Sequence, residues 1–375
     1  MKTNNRNVRS VRTTMTTIVH TARLAALATV FSGLLSVLPP GLVGVSPALA
    51  QGSVSAVLPA PKAYVGIFKD NTVAVIDTGS NQVLKTIPVP VGPHGLAVTP
   101  DGHFIYVSSD GDSKVSVIDT SIDTIVNTIE VGKAPNGLTL TPDGKELLVA
   151  VFGAGQVVFI DTTTNKILGQ VAVPSPHNTA VSPDGKTAYV SANYAADANT
   201  PTTLAILDVA SRTQIGSIPL SSTAQTARTL NFSVDGKALY FTQTSVNSVQ
   251  VLDPASHQIT TQIATDASPH LVLSTPKGDY MLAVSQTANT LILIDPKTNT
   301  VSAKIAVGQK PHWIATSSDG SVAYVTNEVG NSVSVVDLGT QKVTATITVG
   351  NGPRKIVIQP VMSAMSATPA ATTSQ

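Results

Sequence analysis

The chain has no cysteine among its 375 residues, which excludes a disulfide framework, a thiolate metal site, lipoprotein attachment and a thiol nucleophile. Aromatics are scarce at 4%, with a single tryptophan, and charge is low at 12%. No basic cluster is present to track a nucleic acid backbone. There is also no Gly-x-Ser-x-Gly elbow and no Gly-rich phosphate loop leading into a helix, so hydrolase triads and nucleotide cradles find no support. Helix-periodic segments are missing beyond the N-terminal region. What remains is rich in aliphatic and small residues, as expected of a well-packed β protein.

Those residues are organised as a repeat. Asp77, Asp119, Asp161, Asp208, Asp253, Asp295 and Asp337 each close an Ile/Val-rich run, at spacings of 42, 42, 47, 45, 42 and 42 residues. A period near 40 with several short β-runs per unit is the signature of a propeller, in which no single sheet can bury both its faces alone. In the second copy four alternating, β-branched runs stand out: Gly95–Thr99, Phe104–Ser108, Lys114–Ile118 and Ile125–Val131. The first turn is Pro100-Asp101-Gly102, which recurs around Asp143, Asp184, Asp235, Lys277 and Asp319. Proline presets φ and glycine accepts positive φ, so this is a tight hairpin. The seven periodic aspartates open a second turn, where a carboxylate caps backbone N–H groups; they are read as turn formers, not catalysts.

The ends of the chain complement each other. The first copy, from Ala63, begins at its second strand, whereas Gly352–Pro360 repeats a first strand. An all-β, seven-bladed propeller of four-stranded blades is therefore expected over residues 63–361, its ring closed by the C-terminal strand completing the N-terminal blade. Two insertions, in Asn193–Pro201 and in Leu220–Arg228, fall on the face where the chain enters each blade. Repeat proteins commonly place binding surface in such loops.

Residues 1–50 carry Lys2, Arg6, Arg9, Arg12 and Arg23, no acid, an apolar stretch from Leu24 to Val45 and then Ala48-Leu49-Ala50. This reads as a signal peptide, with 51–62 a linker and 362–375 a small, polar, disordered tail. Export to the periplasm or cell surface is expected, with no stable membrane span after cleavage and a monomer as the product. Cleavage leaves 18 basic against 22 acidic residues. Such a surface does not attract nucleic acid or anionic membrane in bulk.

The recurring phrases Ile105-Tyr106-Val107-Ser108, Ala323-Tyr324-Val325-Thr326-Asn327, Val117-Ile118-Asp119-Thr120 and Thr346-Ile347-Thr348-Val349-Gly350 resemble the YVTN-type repeats of bacterial YncE-like and surface-layer propellers. The resemblance spans residues 63–361. It implies the propeller fold and export. It also brings in DNA binding, reported for some YncE-like proteins, and the lactonases, lyases and metal or haem enzymes built on related seven-bladed folds.

Aligning the copies exposes a column seven residues before each first-turn aspartate or its equivalent: His94, Asn136, His177, Arg228, His270, His312 and, in the closing strand, Arg354. These side chains begin the innermost strands and are expected to converge at one mouth of the central channel. Three readings compete. The residues can be structural, capping strands or bonding a neighbouring blade. They can form an anion site, since imidazole and guanidinium suit a small acid, a phosphorylated ligand or an acidic peptide. Or they can serve a metal-dependent enzyme or a lyase through His177, His270 or His312. A guanidinium about 8 Å from a divalent ion costs about 4 kcal/mol at an effective dielectric near 20, and the full histidine ring of copper-binding propellers fails at Asn136, Arg228 and Arg354. Asp110, Asp112 and Glu328 lie on the same face and would offset the arginines.

Trp313 follows His312 where other copies have Gly95, Gly137, Asn178, Thr229, Leu271 and Lys355; it can stack on a ligand or fill space between blades. With Tyr194, Phe152 and Phe68 it would make a minor platform for single-stranded nucleic acid. The expectation is thus an exported binding or scaffold propeller, more a binder than an enzyme. Its ligand, a small anion or a protein segment, would meet the His/Arg ring and Trp313, with no cofactor or metal predicted.

Overall fold

The computed structural model describes residues 60–193, 202–220 and 227–361. The signal peptide, most of the linker, both insertions beyond Asn193 and Leu220, Tyr194 and the C-terminal tail lie outside the described residues. Twenty-eight strands form seven four-stranded antiparallel sheets. Blade 2 shows the plan, with strands Pro93–Val98, Phe104–Ser109, Lys114–Asp119 and Thr124–Glu130 running from the axis outward. Blade 1 takes its three outer strands, Lys62–Ile67, Thr72–Asp77 and Gln82–Pro88, from one end of the chain and its inner strand, Pro353–Ile358, from the other.

The hydrophobic core lies between blades. Ala97, Tyr106 and Val117 of blade 2 pack on Leu138, Leu147 and Val149 of blade 3. Tyr64 and Val75 of blade 1 meet the other face of blade 2 through Ile105 and Val107. Across the join, Ala63, Val65 and Ile356 of blade 1 pack on Tyr324 and Val335 of blade 7. The alternation in the middle strands is therefore between two neighbouring blades, so these strands are buried on both faces. Only the outermost strands alternate with solvent, and Thr124–Glu130 is exposed everywhere except Ile129.

The phrases that repeat in the sequence join blade to blade. The hydroxyl of Tyr106 donates to Asn165 Oδ1 at 2.8 Å, and that of Tyr240 to Asn299 Oδ1 at 2.7 Å. Tyr64 reaches Asp123 Oδ1 at 2.5 Å in the same way. Each acceptor sits at φ between 51° and 56° in the second turn of the next blade, a conformation that Asn and Asp tolerate. The periodic aspartates behave as turn caps: Asp77 accepts from Ser80 N at 2.7 Å, Asp161 from Thr163 N at 2.8 Å and Asp337 from Thr340 N at 2.6 Å. Bonds from the Ser80 hydroxyl and amide, from Thr164 N and from Thr340 N hold the three carboxyls below their ordinary pKa. The first turns also form as expected, with Gly102 and Gly144 of Pro-Asp-Gly and Gly320 of Ser-Asp-Gly each at φ 72°.

Candidate functional site

The inner strands begin at Pro93, Pro135, Pro269, Pro311 and Pro353, two residues earlier than the alternating pattern alone suggests. The reason is a bulge. In blade 2, Pro93 pairs with Ser109 and Gly95 with Ser108, leaving His94 without a partner across the strand. His270 is skipped in the same way between Pro269 and Leu271, and His312 between Pro311 and Trp313. Register shifts also bracket Asn136, Arg228 and Arg354. A bulge re-aims the extra residue, and here it does so at the same height in blade after blade.

In three blades a hydroxyl stabilises the bulge and ties it to the next blade. Thr326 Oγ1 accepts from Trp313 N at 2.9 Å and donates to the Arg354 carbonyl at 2.5 Å. Ser108 accepts from Gly95 N at 2.9 Å and donates to the Asn136 carbonyl, and Thr242 bridges Thr229 N and the His270 carbonyl, each at 3.2 Å. At Gly95 the neighbouring blade comes so close that a Cβ would collide with the Asn136 carbonyl. The backbone of the column is thus structural, while most of its side chains are left for other uses.

Those side chains gather in two histidine pairs. His94 and His177 meet edge to face with ring centroids 5.8 Å apart, and His270 and His312 lie 4.1 Å apart. His177 Nδ1 is 3.2 Å from the Arg228 carbonyl. His270 is 3% exposed, yet neither of its ring nitrogens has a hydrogen-bond partner among the described residues, and Nδ1 of both His94 and His312 is likewise unpartnered. Burial pushes all four imidazoles down, His177 to about 3 and the others well below their ordinary value; nearby Arg228, Arg354 and the other histidines add to it. The ring therefore carries neutral imidazoles at neutral pH, each able to donate from one nitrogen and accept at the other.

Arg354 is anchored. Its Nε lies 3.4 Å from Glu328 Oε1, its Nη1 3.8 Å from Asp110 Oδ2, and its guanidinium 3.3 Å from the centre of the Phe68 ring. Lys310 adds a 2.8 Å ion pair to Glu328. Asp110 is raised, burial outweighing Arg354; at Glu328 burial is outweighed by Lys310 and Arg354, so it stays low. Asp112 turns away to Lys114, 3.7 Å distant. Asn136 is buried and makes a local 3.5 Å contact to the Ala134 carbonyl. Among the described residues no three His, Asp or Glu side chains are arranged to hold a metal ion.

Trp313 is half-buried. It packs on the cores between blades 6 and 7 and between blades 7 and 1, stacks beside His312 with centroids 6.4 Å apart, and lines the channel below the histidines. Over its ring, at 4.5 Å, sits the ammonium of Lys355, a residue absent from the candidate set read from the sequence. The one available signal was that Lys355 is the only charged residue in the column that follows the histidines.

Residues 62–141 match the family model of the YNCE-like β-propeller. Over that stretch the propeller is similar to the YncE-like family. Similar solved structures include a Kuenenia stuttgartiensis hydrazine synthase chain, 22% identical with a TM-score of 0.68, covering 76% of this chain and 98% of that one. Apo AztD from Citrobacter koseri is 16% identical with a TM-score of 0.61, covering 80% and 98%. A functionally unknown protein from Desulfotomaculum acetoxidans DSM 771 is 14% identical with a TM-score of 0.66, covering 80% and 99%. At these identities the likeness is one of fold. No curated protein matches the sequence.

Proposed function

We propose that this YncE-like propeller is a binding module that takes a small anionic ligand, or an acidic side chain of a partner protein, at the His/Arg mouth of the channel. The observation that carries the reading is His270, buried beside His312 with both ring nitrogens unpartnered. Buried polar groups are seldom left so, and a ligand oxygen would satisfy the ring's N–H. The export inferred from residues 1–50 belongs to this proposal; no helix among the described residues is long and apolar enough to cross a membrane.

The alternatives gain less. Imidazoles held so far below neutrality are weak bases, which counts against a lyase using His177, His270 or His312. A stacking platform for nucleic acid would need the face of Phe68, which Arg354 already covers. Calorimetry with inorganic phosphate, a dicarboxylate, a short oligonucleotide and divalent ions tests the reading. Saturable binding of an anion, weakened by about tenfold or more in His270→Ala, is expected, since hydrogen bonds to charged groups contribute about 1.5–3 kcal/mol. Stoichiometric metal lost on that substitution, or no anion binding to the folded protein, would sink it.

A further inference from the structure

We propose that the channel beneath the histidine ring is a second site, opening on the face of the Pro-Asp-Gly turns, for a small carboxylate with an apolar body that pairs with Lys355. This is independent of the mouth site and lies one row deeper. Lys355 is 8% exposed and extends from blade 1 past blade 2, its Nζ donating to the Leu138 carbonyl of blade 3 at 3.2 Å. Its remaining contact of note is the Trp313 ring, 4.5 Å from Nζ. Among the described residues no carboxylate pairs with it, whereas Arg354 and Lys310 at the mouth are each paired with Glu328. An ammonium held out of water without a counter-ion is costly, and an entering anion removes that cost.

The space for it exists. A cavity of about 490 Å³ has Lys355, Trp313 and Asn178 at its inner end. Val98, Val181 and Ile358 line it towards the turn face. That volume lies in the range of small-molecule sites, which bury an apolar body and fix it by a few polar groups. One cationic end, with only aliphatic and neutral polar side chains such as Thr139 and Asn231 beyond it, selects a monocarboxylate with a short hydrocarbon chain over a multiply charged ion. Burial also pushes the Lys355 amine down to about 7, and a bound carboxylate would restore its charge.

The chain's single tryptophan lies under the ammonium, so its fluorescence reports the site directly. Hexanoate and hexanol are titrated into the full chain, followed by tryptophan fluorescence and calorimetry. Saturable binding of hexanoate and not of hexanol is expected. Lys355→Met should weaken it by about 30-fold or more, the loss usual when one partner of a buried charge pair is removed. Lys355→Arg should retain it. The proposal is overturned if the parent binds neither compound or both equally, or if Lys355→Met binds unchanged. Circular dichroism checks that each variant is folded; should Lys355→Met fail to fold, Lys355→Gln takes its place with the same expected loss.

Discussion

Lys355 shows how far the fold controls the charge of a single residue. Its amine titrates at about 7 in the folded protein because burial disfavours the ammonium, whereas a lysine in an unfolded chain titrates near about 10.4. Below the folded value both states are charged and the cost of burial is carried in full. Between the two values the unfolded chain holds the extra proton, so this residue's contribution to stability rises with pH and levels off above the unfolded value. Lys355→Met should therefore be more stable than the parent at about pH 6, with the advantage shrinking towards about pH 10. Denaturant midpoints of both proteins across that interval check it; a difference that does not change with pH would contradict the burial argument. The histidine column was legible because the copies align on their turn aspartates. Lys355 was not, because a lysine beside an Arg in an edge strand reads as solvated until its neighbours are known.

Among elements, the inner strand with its bulge is the unit that builds the site. The residue pattern predicts a strand but not the skipped residue, since the bulge exists only in the pairing with the second strand. In three of the blades the Ser or Thr of the repeated phrase holds it. Thr326→Val would leave Trp313 N and the Arg354 carbonyl without their shared hydroxyl. A loss of about 1–3 kcal/mol in denaturant unfolding is expected, with weaker anion binding at the mouth as Arg354 shifts. Stability equal to the parent's would show the staple to be replaceable by water. The tyrosine of the same phrase works at the other end of the blade, and its acceptors in the second turn were visible as Asn or Asp but not as partners, because they belong to the next repeat.

On the scale of the whole molecule, seven interblade cores replace a single central one, and each depends on both neighbours. The inner strand Pro353–Ile358 contributes to two of them and covers the edge of Lys62–Ile67. Deleting residues 353–361 should open that edge and the interface with blade 7 together. The expected outcome is broad, non-cooperative thermal unfolding and self-association on size-exclusion chromatography, as unpaired strand edges template pairing with other chains. A truncated chain that stays monomeric with an unchanged melting profile would mean that six complete blades suffice.

The sequence by itself determined the number of blades, the composite blade drawn from both ends of the chain, and the turn chemistry of the aspartates and glycines. Those follow from period and local backbone preference, which each repeat carries whole. Only the tertiary structure decided which side chains share the channel: that Arg354 is held by Glu328, Asp110 and Phe68, that His270 is buried with both nitrogens unpartnered, and that Lys355 lies over Trp313 with its hydrogen bond to Leu138, 217 residues away. Charge state and pairing depend on burial and on neighbours contributed by other blades, and those exist only once the ring has assembled.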